Sequence, residues 1–202
     1  MQHKAIFLGT FDPPHLGHFR VLESFIKSGI MSKLGIDKIH VIPTSQNPNK
    51  KDSTDFNTRY KMCINAFSKL SDYVVVDDVE NNFEHTYTYE IIERFNTNND
   101  EFVKKGFYWI ITVETFKEIH DGKWKQSDKL LKNKFIVMYS KNDEIDLNLF
   151  KDIKQNFRMI EIPCSVDVHS TQIREDVNKG ECPFGLDEDV YEIIKSNNLY
   201  KK

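Results

Sequence analysis

Two histidines near the start of the chain, His15 and His18, lie three residues apart at the end of a turn rich in glycine and proline. The turn, Gly9–Gly17, follows a short apolar run, Ile6–Leu8, that suits a buried strand. If a helix begins near His15, this spacing places both imidazoles on one face, beside backbone N–H groups and the positive end of the helix dipole. An anion binds favourably at such a position. The segment therefore indicates a phosphate-binding corner.

The histidine pair has two other interpretations. The side chains could be ordinary core or surface histidines, although the glycines and prolines around them argue against this. They could bind a metal ion, but zinc sites on helices more often use i,i+4 spacing with a third ligand, and the sequence offers no obvious third ligand. Phosphate binding is the favoured hypothesis.

Composition predicts an ordinary globular chain. The 202 residues, 39% of them hydrophobic, can bury a sizeable core, which favours one domain over residues 1–202. A net charge of −3 gives no general attraction to nucleic acid or to an anionic membrane. No apolar run approaches the roughly 20 residues that cross a bilayer, and no signal peptide is evident. Cys63, Cys164 and Cys182 form no CxxC pair, so we expect a cytoplasmic protein without a disulfide framework.

Short apolar runs alternate with helical patterns along the chain. The strand candidates are Ala5–Leu8, Lys38–Ile42, Tyr73–Val76, Tyr108–Ile111, Phe135–Met138 and Met159–Ile162. The helix candidates are Gly17–Ile30, Arg59–Leu70, Thr88–Phe95, Phe116–Leu131, Leu147–Gln155, Ser170–Asn178 and Asp187–Ser196. This alternation predicts an α/β fold with a doubly wound, mostly parallel sheet and a small C-terminal helical part from about residue 165 to 202. Ligands of such sheets bind at the carboxyl ends of the strands, where the Gly9–His18 turn is expected.

Two common nucleotide-binding fingerprints are missing from the sequence. GxGxxG does not follow the first strand candidate and GxxxxGK[ST] does not occur, which disfavours a nicotinamide dehydrogenase and a P-loop ATPase. In their place stands GTFDPPHLGH, Gly9–His18. This segment resembles the (T/H)xGH signature of the nucleotidylyltransferase superfamily, in the form typical of nicotinate (nicotinamide) mononucleotide adenylyltransferases. The resemblance implies their Rossmann-like fold.

A second motif supports the resemblance. VHSTQIR, Val168–Arg174, is similar to the family's ISSTxIR segment, which begins a helix and contacts ATP phosphates. Ser170 and Thr171 could cap that helix with their hydroxyls, and Arg174 follows one turn later on the same face. Taken alone, the segment could also be a simple N-cap followed by a solvated arginine.

Further matches extend the resemblance over nearly the whole chain. PTSQNPNK, Pro43–Lys50, is similar to the family's PxxxPPHK loop and puts Lys50 at its basic position, although Lys50 or Lys51 could equally be an exposed loop lysine. Arg59 matches an arginine that commonly follows this loop. Thr86–Thr88 resembles an SYT segment that contacts the pyridine nucleotide, and Gly180–Tyr200 resembles the family's C-terminal pattern.

One segment departs from the family pattern. Where IGxDxL is usual, the chain has ITVETF, so Thr112 replaces glycine and Glu114 replaces aspartate. Nearby Trp124 could stack on a pyridine ring, or it could serve core or lid packing.

The resemblance implies an enzyme that transfers the adenylyl group of ATP to nicotinate mononucleotide, giving deamido-NAD and pyrophosphate in NAD biosynthesis. The implied catalytic residues are His15, His18 and Arg174. The implied contacts to ATP and its phosphates are Gly9, Thr10, Phe11, Lys50, Ser170, Thr171 and Arg174. The implied contacts to the pyridine nucleotide are Arg59, Thr88, Thr112, Glu114 and Trp124. Mg²⁺ is expected on the ATP phosphates rather than on protein ligands. Assembly of the chain into a homo-oligomer is compatible with the sequence.

Four other functions are alternatives. The acceptor could be nicotinamide mononucleotide. The chain could be another transferase of the superfamily, such as a phosphopantetheine adenylyltransferase or a cytidylyltransferase, which usually lack the Pro43–Lys50 loop and the tail pattern. A non-catalytic nucleotide-binding protein would not need the full set of phosphate-binding residues. A metal-dependent phosphohydrolase would need further Asp and His ligands at spacings that the sequence does not show.

Overall fold

The computed structural model of the chain describes residues 3–45, 53–83, 86–97, 106–146, 148, 150, 157–163 and 167–201. Its strands are β1 (His3–Gly9), β2 (Ile36–Pro43), β3 (Val74–Val76), β4 (Phe107–Thr112), β5 (Lys134–Tyr139) and β6 (Phe157–Glu161). Its α-helices are α1 (Leu16–Lys27), α2 (Ile30–Leu34), α3 (Phe56–Ala66), α4 (Thr88–Thr97), α5 (Val113–His120), α6 (Ser127–Leu130), α7 (Ser170–Lys179) and α8 (Glu188–Ser196).

The strands form one parallel sheet in the order β3-β2-β1-β4-β5-β6. From β1 in the middle of the sheet the strands proceed outward through β2 and β3, and β4 then lies on the other side of β1. The strand order therefore reverses between β1 and β4, which makes this pair the topological switch point. The predicted doubly wound, parallel α/β fold is confirmed.

Both faces of the sheet are covered by helices. In β5, Phe135 and Val137 pack in the cluster that includes α5, whereas Ile136 and Met138 pack in the cluster that includes α1. All four side chains are fully buried. A strand covered on both faces needs apolar residues at consecutive positions, which explains why the strand candidates are short continuous apolar runs.

Two predicted helices are shorter than expected. The pattern Gly17–Ile30 is interrupted because Gly29 adopts a left-handed conformation (φ 70°) and separates α1 from α2. The pattern Phe116–Leu131 is also wrong as one helix, since α5 ends before Gly122 (φ 74°) and α6 begins after Gln126 (φ 61°). Left-handed residues end a right-handed helix, and an isolated glycine in a helical pattern does not reveal this in advance.

Other helix predictions meet the structure differently. Arg59–Leu70 corresponds to α3, which begins at Phe56, and to a 3-10 turn at Ser68–Leu70. Leu147–Gln155 lies almost entirely outside the described residues. In the described part of the chain, no helix is both long and apolar enough to cross a bilayer.

The last two helices pack against α3. Met62 of α3, Val177 of α7, and Val190 and Ile194 of α8 form a small buried cluster. The predictions Ser170–Asn178 and Asp187–Ser196 agree with α7 and α8 to within one residue at either end. Hydrogen bonds from Ser170 and Arg174 attach α7 to the turn that follows β1.

Thr112 ends β4 and caps α5. Its Oγ1 accepts the N–H of Thr115 at 3.4 Å and lies 3.0 Å from the Thr115 hydroxyl. The hydroxyl satisfies one of the N–H groups that a helix start leaves without a partner. The threonine that departs from the family pattern therefore has a structural reason to be there.

Replacing this cap tests its contribution to folding. We expect Thr112→Ala to lower the free energy of unfolding by about 1 kcal/mol, and Thr112→Gly by only a few tenths, as for other N-caps. Thr112→Ser, which keeps the hydroxyl, is the matched control and should stay close to the unchanged protein. Urea denaturation measures all three, and an alanine variant as stable as the serine variant would contradict the cap.

Candidate active site

A cleft of about 730 Å³ opens where β1 and β4 end. Its wall includes Gly9 and Thr10 at the end of β1, the start of α1, and the junction of β4 with α5. In doubly wound sheets the loops part at the switch point between two such strands, and ligands bind there. The cleft therefore lies at the carboxyl end of the sheet, as the sequence predicts.

The two histidines of the turn meet at the start of α1. His15 is the N-cap residue, and its Nδ1 accepts the N–H of Gly17 at 3.2 Å. Nδ1 of His18 accepts the N–H of His15, also at 3.2 Å, and the ring centroids are 3.8 Å apart. An imidazole that accepts through Nδ1 and is neutral carries its proton on Nε2. Each ring therefore has an Nε2–H group to donate.

Burial keeps both imidazoles neutral at pH 7. It lowers the pKa of His15 to about 4, and the neighbouring His169 acts in the same direction. It also lowers the pKa of His18 well below the usual value, with His15 contributing. The pair can thus offer hydrogen bonds to an anion without carrying positive charge.

Phe11 supports His18 from behind. Its side chain is 2% exposed and packs edge-on against the His18 ring, with centroids 5.0 Å apart. The same ring lies over Gly9, where an added Cβ would come within 2.8 Å of it. The Phe11 ring therefore packs inside the protein, and Gly9 is needed for its close approach. The expected contact of Phe11 with the phosphates stays a prediction.

Arg59 has a different place from the one expected. Its side chain is 1% exposed, its Nε donates to the Thr54 carbonyl and its Nη1 to the Thr10 carbonyl, both at 2.7 Å. Burial lowers the pKa of Arg59, while the charge of Asp12 opposes that shift. Instead of contacting a pyridine nucleotide, this arginine fastens the turn after β1 to the segment before α3.

The start of α7 is also attached to that turn. The N-cap residue is His169, not Ser170 or Thr171, and it makes no side-chain cap bond. The Ser170 hydroxyl instead donates to the Pro13 carbonyl at 3.0 Å. The expected capping role is therefore wrong, because the hydroxyl is used in a contact across the fold.

Arg174 lies one turn further along α7. Its Nη1 donates to the Asp12 carbonyl at 2.7 Å and its Nη2 to Thr171 Oγ1 at 3.2 Å. These bonds use two of the five N–H donors of a guanidinium group. The structure thus brings Arg174 next to the histidine turn, while Val168 and His169 are the residues of this segment that line the cleft.

Several residues expected at the pyridine nucleotide do line the cleft. They are Thr88, Thr112, Glu114 and Trp124. The Trp124 ring is held in place, because its Nε1 donates to Glu118 Oε2 at 3.0 Å and it meets Trp109 edge-on at 6.5 Å. Lys50 lies outside the described residues, so its position relative to the cleft stays a prediction.

Sequence reasoning missed two lysines beside Trp124. Lys123 and Lys125 line the cleft, and Nζ of Lys125 lies 4.0 Å from the centre of the Tyr87 ring. Only their position next to Trp124 could have suggested them.

A buried network behind Thr86 was also missed. The Thr86 hydroxyl donates to Glu80 Oε2 at 2.6 Å and meets the Ser45 hydroxyl, and Glu80 forms an ion pair with Arg94. Glu80 is only 1% exposed. The network anchors the cleft segment Thr86–Thr88 to the chain after β2. It could not be predicted from the sequence, because its residues belong to no recognisable local pattern.

Comparisons with known proteins agree with this geometry. A family model described as cytidylyltransferase-like matches residues 6–176. The probable nicotinate-nucleotide adenylyltransferase of Clostridium tetani is 34% identical, and the alignment covers 100% of both chains. The chain belongs to the nicotinate-nucleotide adenylyltransferase family. The probable nicotinate-nucleotide adenylyltransferase of Clostridium kluyveri, another relative, is 33% identical over 100% of both chains.

Solved structures show the same fold. The Plasmodium falciparum nicotinic acid mononucleotide adenylyltransferase complexed with APC aligns with a TM-score of 0.78 at 21% identity, covering 99% of this chain and 98% of that one. A putative nicotinate-nucleotide adenylyltransferase from Vibrio parahaemolyticus gives 0.63 at 20% identity, covering 100% and 97%. The resemblance seen in the sequence is confirmed for this adenylyltransferase family.

The buried histidines make a prediction about acid stability. A histidine whose pKa is lowered by folding binds more protons when unfolded, so its stabilising contribution is intact above pH 6.5 and is lost as the pH falls toward about 4. His15→Asn keeps a side-chain acceptor for the cap but does not titrate. We expect this variant to lose less thermal stability than the unchanged protein across that interval.

Thermal unfolding followed by circular dichroism at several pH values measures this difference. His120→Asn is the control, because His120 lies on the last turn of α5 and is partly exposed. Parallel losses of stability in the His15 variant and the unchanged protein would contradict the assignment.

Proposed function

We propose that this chain transfers the adenylyl group of ATP to nicotinate mononucleotide, forming deamido-NAD and pyrophosphate in NAD biosynthesis. The observation that carries the proposal is the pair of neutral imidazoles, each with Nδ1 occupied by a backbone N–H and Nε2–H available at the cleft. Membership of the adenylyltransferase family supports it.

The reaction requires positioning rather than covalent help from the protein. An oxygen of the mononucleotide 5′-phosphate forms a bond to the α-phosphorus of ATP, and the bond from that phosphorus to the bridging oxygen breaks as pyrophosphate leaves. Negative charge shifts onto the α-phosphate and the departing oxygens, so oriented donors at those atoms lower the barrier. In the proposed mechanism His18 donates Nε2–H to the α-phosphate, and His15 donates to a neighbouring phosphate oxygen.

The remaining phosphate contacts surround this pair. We assign the β- and γ-phosphates to Arg174, whose other N–H groups can form charge-assisted bonds, and to the backbone N–H groups at Ser170 and Thr171. Gly9 and Thr10 border the α-phosphate from the end of β1. Lys50 is proposed as a further phosphate contact.

The pyridine nucleotide is proposed to lie between Trp124 and the Thr86–Thr88 segment. The hydrogen bond from Trp124 to Glu118 orients an indole ring on which a pyridine ring can stack. Thr88, Thr112 and Glu114 complete this part of the wall in the proposal. The ammonium groups of Lys123 and Lys125 favour an anionic ring substituent, which supports nicotinate over nicotinamide as the acceptor.

We propose that Mg²⁺ enters with ATP. The ring nitrogens of His15 and His18 are N–H donors or already hydrogen-bonded acceptors, so they suit phosphate oxygens rather than a cation. Among the described residues, no group of three or more His, Cys, Asp and Glu side chains is placed to hold a metal ion. Phosphate oxygens and water are the ligands that Mg²⁺ prefers, and the ion would neutralise phosphate charge.

A cytoplasmic location is part of the proposal. Cys63 and Cys182 are free thiols in the structure, and free thiols suit the reducing conditions of that compartment.

A direct assay tests the function. The purified protein is incubated with Mg·ATP and either mononucleotide, and pyrophosphate and dinucleotide are measured. We expect product with nicotinate mononucleotide, and either less product or none with nicotinamide mononucleotide. The kcat/KM should be higher with nicotinate mononucleotide because of the lysines beside Trp124. No product with either acceptor would refute the proposal, and a preference for nicotinamide mononucleotide would replace its acceptor.

The role of His18 has its own test. We expect His18→Ala to fold and to lower kcat by about 10²- to 10³-fold, as for the loss of one oriented donor to a developing oxyanion. His120→Ala removes an imidazole outside the cleft wall and serves as the control. Steady-state kinetics at saturating substrates measure both variants, and near-normal turnover without His18 would rule out the assigned role.

A further inference from the structure

The Asp12 carboxylate is held from two distant parts of the chain. Its Oδ1 accepts the hydroxyl of Tyr200 at 2.6 Å, and its Oδ2 accepts the N–H of Thr54 at 3.1 Å. Asp12 is only 7% exposed. Both oxygens are therefore used inside the protein, and the carboxylate is not a group for binding a ligand.

Tyr200 is brought to Asp12 by the segment that follows α8, Asn197–Lys201. Asn198 (φ 50°) and Tyr200 (φ 63°) both adopt the left-handed conformation, which is uncommon outside glycine. Between them, Leu199 packs beside the buried cluster of α3, α7 and α8, and its N–H donates to the Ile194 carbonyl at 3.0 Å. These contacts hold Leu199, and the phenol of the next residue reaches the turn.

The contact has the features of a strong hydrogen bond. A hydroxyl that donates to a carboxylate forms a charge-assisted bond, and 2.6 Å lies within the short range typical of such pairs. Burial, and then the charge of Asp12, raise the pKa of Tyr200, so the phenol stays protonated and donates. Removal of the hydroxyl would leave Oδ1 buried without this donor.

Asp12 is joined, through the chain or through a hydrogen bond, to residues that position the two histidines and Arg174. Phe11, the preceding residue, packs against the ring of His18. The Asp12 carbonyl accepts Arg174 Nη1, and His15 follows three residues later as the N-cap of α1. A shift at Asp12 therefore moves the support of His18 and the partner of Arg174 together.

We propose that Tyr200 is a positioning residue: by holding the Asp12 carboxylate, it fixes the turn that presents His15, His18 and Arg174 to the phosphates. The proposal rests on the proposed function in one respect, namely that these three residues act on phosphate groups. The holding of the turn itself can be tested without any reaction.

Tyr200→Phe removes the hydroxyl and keeps the ring. We expect kcat to fall about 10-fold while the KM values stay within about twofold, because misplaced donors weaken transition-state contacts more than ground-state binding. Tyr191→Phe removes a hydroxyl on α8 as the matched control. Met31→Ala removes a buried side chain from α2, which leads into the amino end of β2 and so lies away from the cleft. It should lower the unfolding temperature at least as much as Tyr200→Phe, with kcat unchanged at a temperature where all variants are folded.

The outcomes separate positioning from stability. An unchanged kcat in Tyr200→Phe, or an equal loss of kcat in Met31→Ala, would overturn the proposal. Asp12→Asn and the double variant complete a mutant cycle, and the two changes should be less than additive because they act through one contact. Full additivity would also overturn it.

A second measurement does not depend on catalysis. NMR spectra of the imidazole groups should show altered signals for His15 and His18 in Tyr200→Phe and unaltered signals for His120. Unaltered His15 and His18 signals would refute the holding of the turn. If the unchanged protein forms no dinucleotide, the proposed function fails, whereas altered signals would still support the positioning contact.

Discussion

The site depends on the hydrogen bond from the backbone N–H of His15 to Nδ1 of His18. This bond joins the last residue of a turn to the first turn of a helix, so it holds the imidazole and selects its tautomer at once. Burial then keeps the ring neutral, and Phe11 fills the space behind it. The donor toward the cleft thus exists only because backbone geometry, burial and packing agree at one position.

The part of the turn between β1 and the N-cap of α1, residues 10–14, has to be held by other side chains because it belongs to neither the sheet nor a helix. Arg59 holds the Thr10 carbonyl, Ser170 the Pro13 carbonyl and Arg174 the Asp12 carbonyl. Each of these side chains belongs to a helix, α3 or α7, whose position is set by packing elsewhere in the fold. In a chain with a net charge of −3, such local arginines also supply positive charge where phosphates are expected.

The sequence predicted the parallel sheet well, because strands such as Phe135–Met138 are buried on both faces and are continuously apolar. It predicted His15 and His18 as neighbours from their spacing alone. It did not predict the buried role of Arg59, whose partner Thr10 lies 49 residues away, or that of Phe11, whose ring turns inward. Such roles depend on contacts that only the folded chain creates, and a short motif contains no record of them.

The residues proposed for the chemistry and those proposed for binding the acceptor follow different strands of the switch point, β1 and β4. The imidazoles lie at the start of α1, beside the carboxyl end of β1 in the middle of the sheet, where packing on several sides limits change. Trp124 and Lys125, which are proposed to face the acceptor, lie in the connection between α5 and α6 instead, and side-chain contacts with Glu118 and Tyr87 hold them there. In a protein with this arrangement, substitutions in the connections after β4 can change which acceptor binds while the start of α1 keeps its structure.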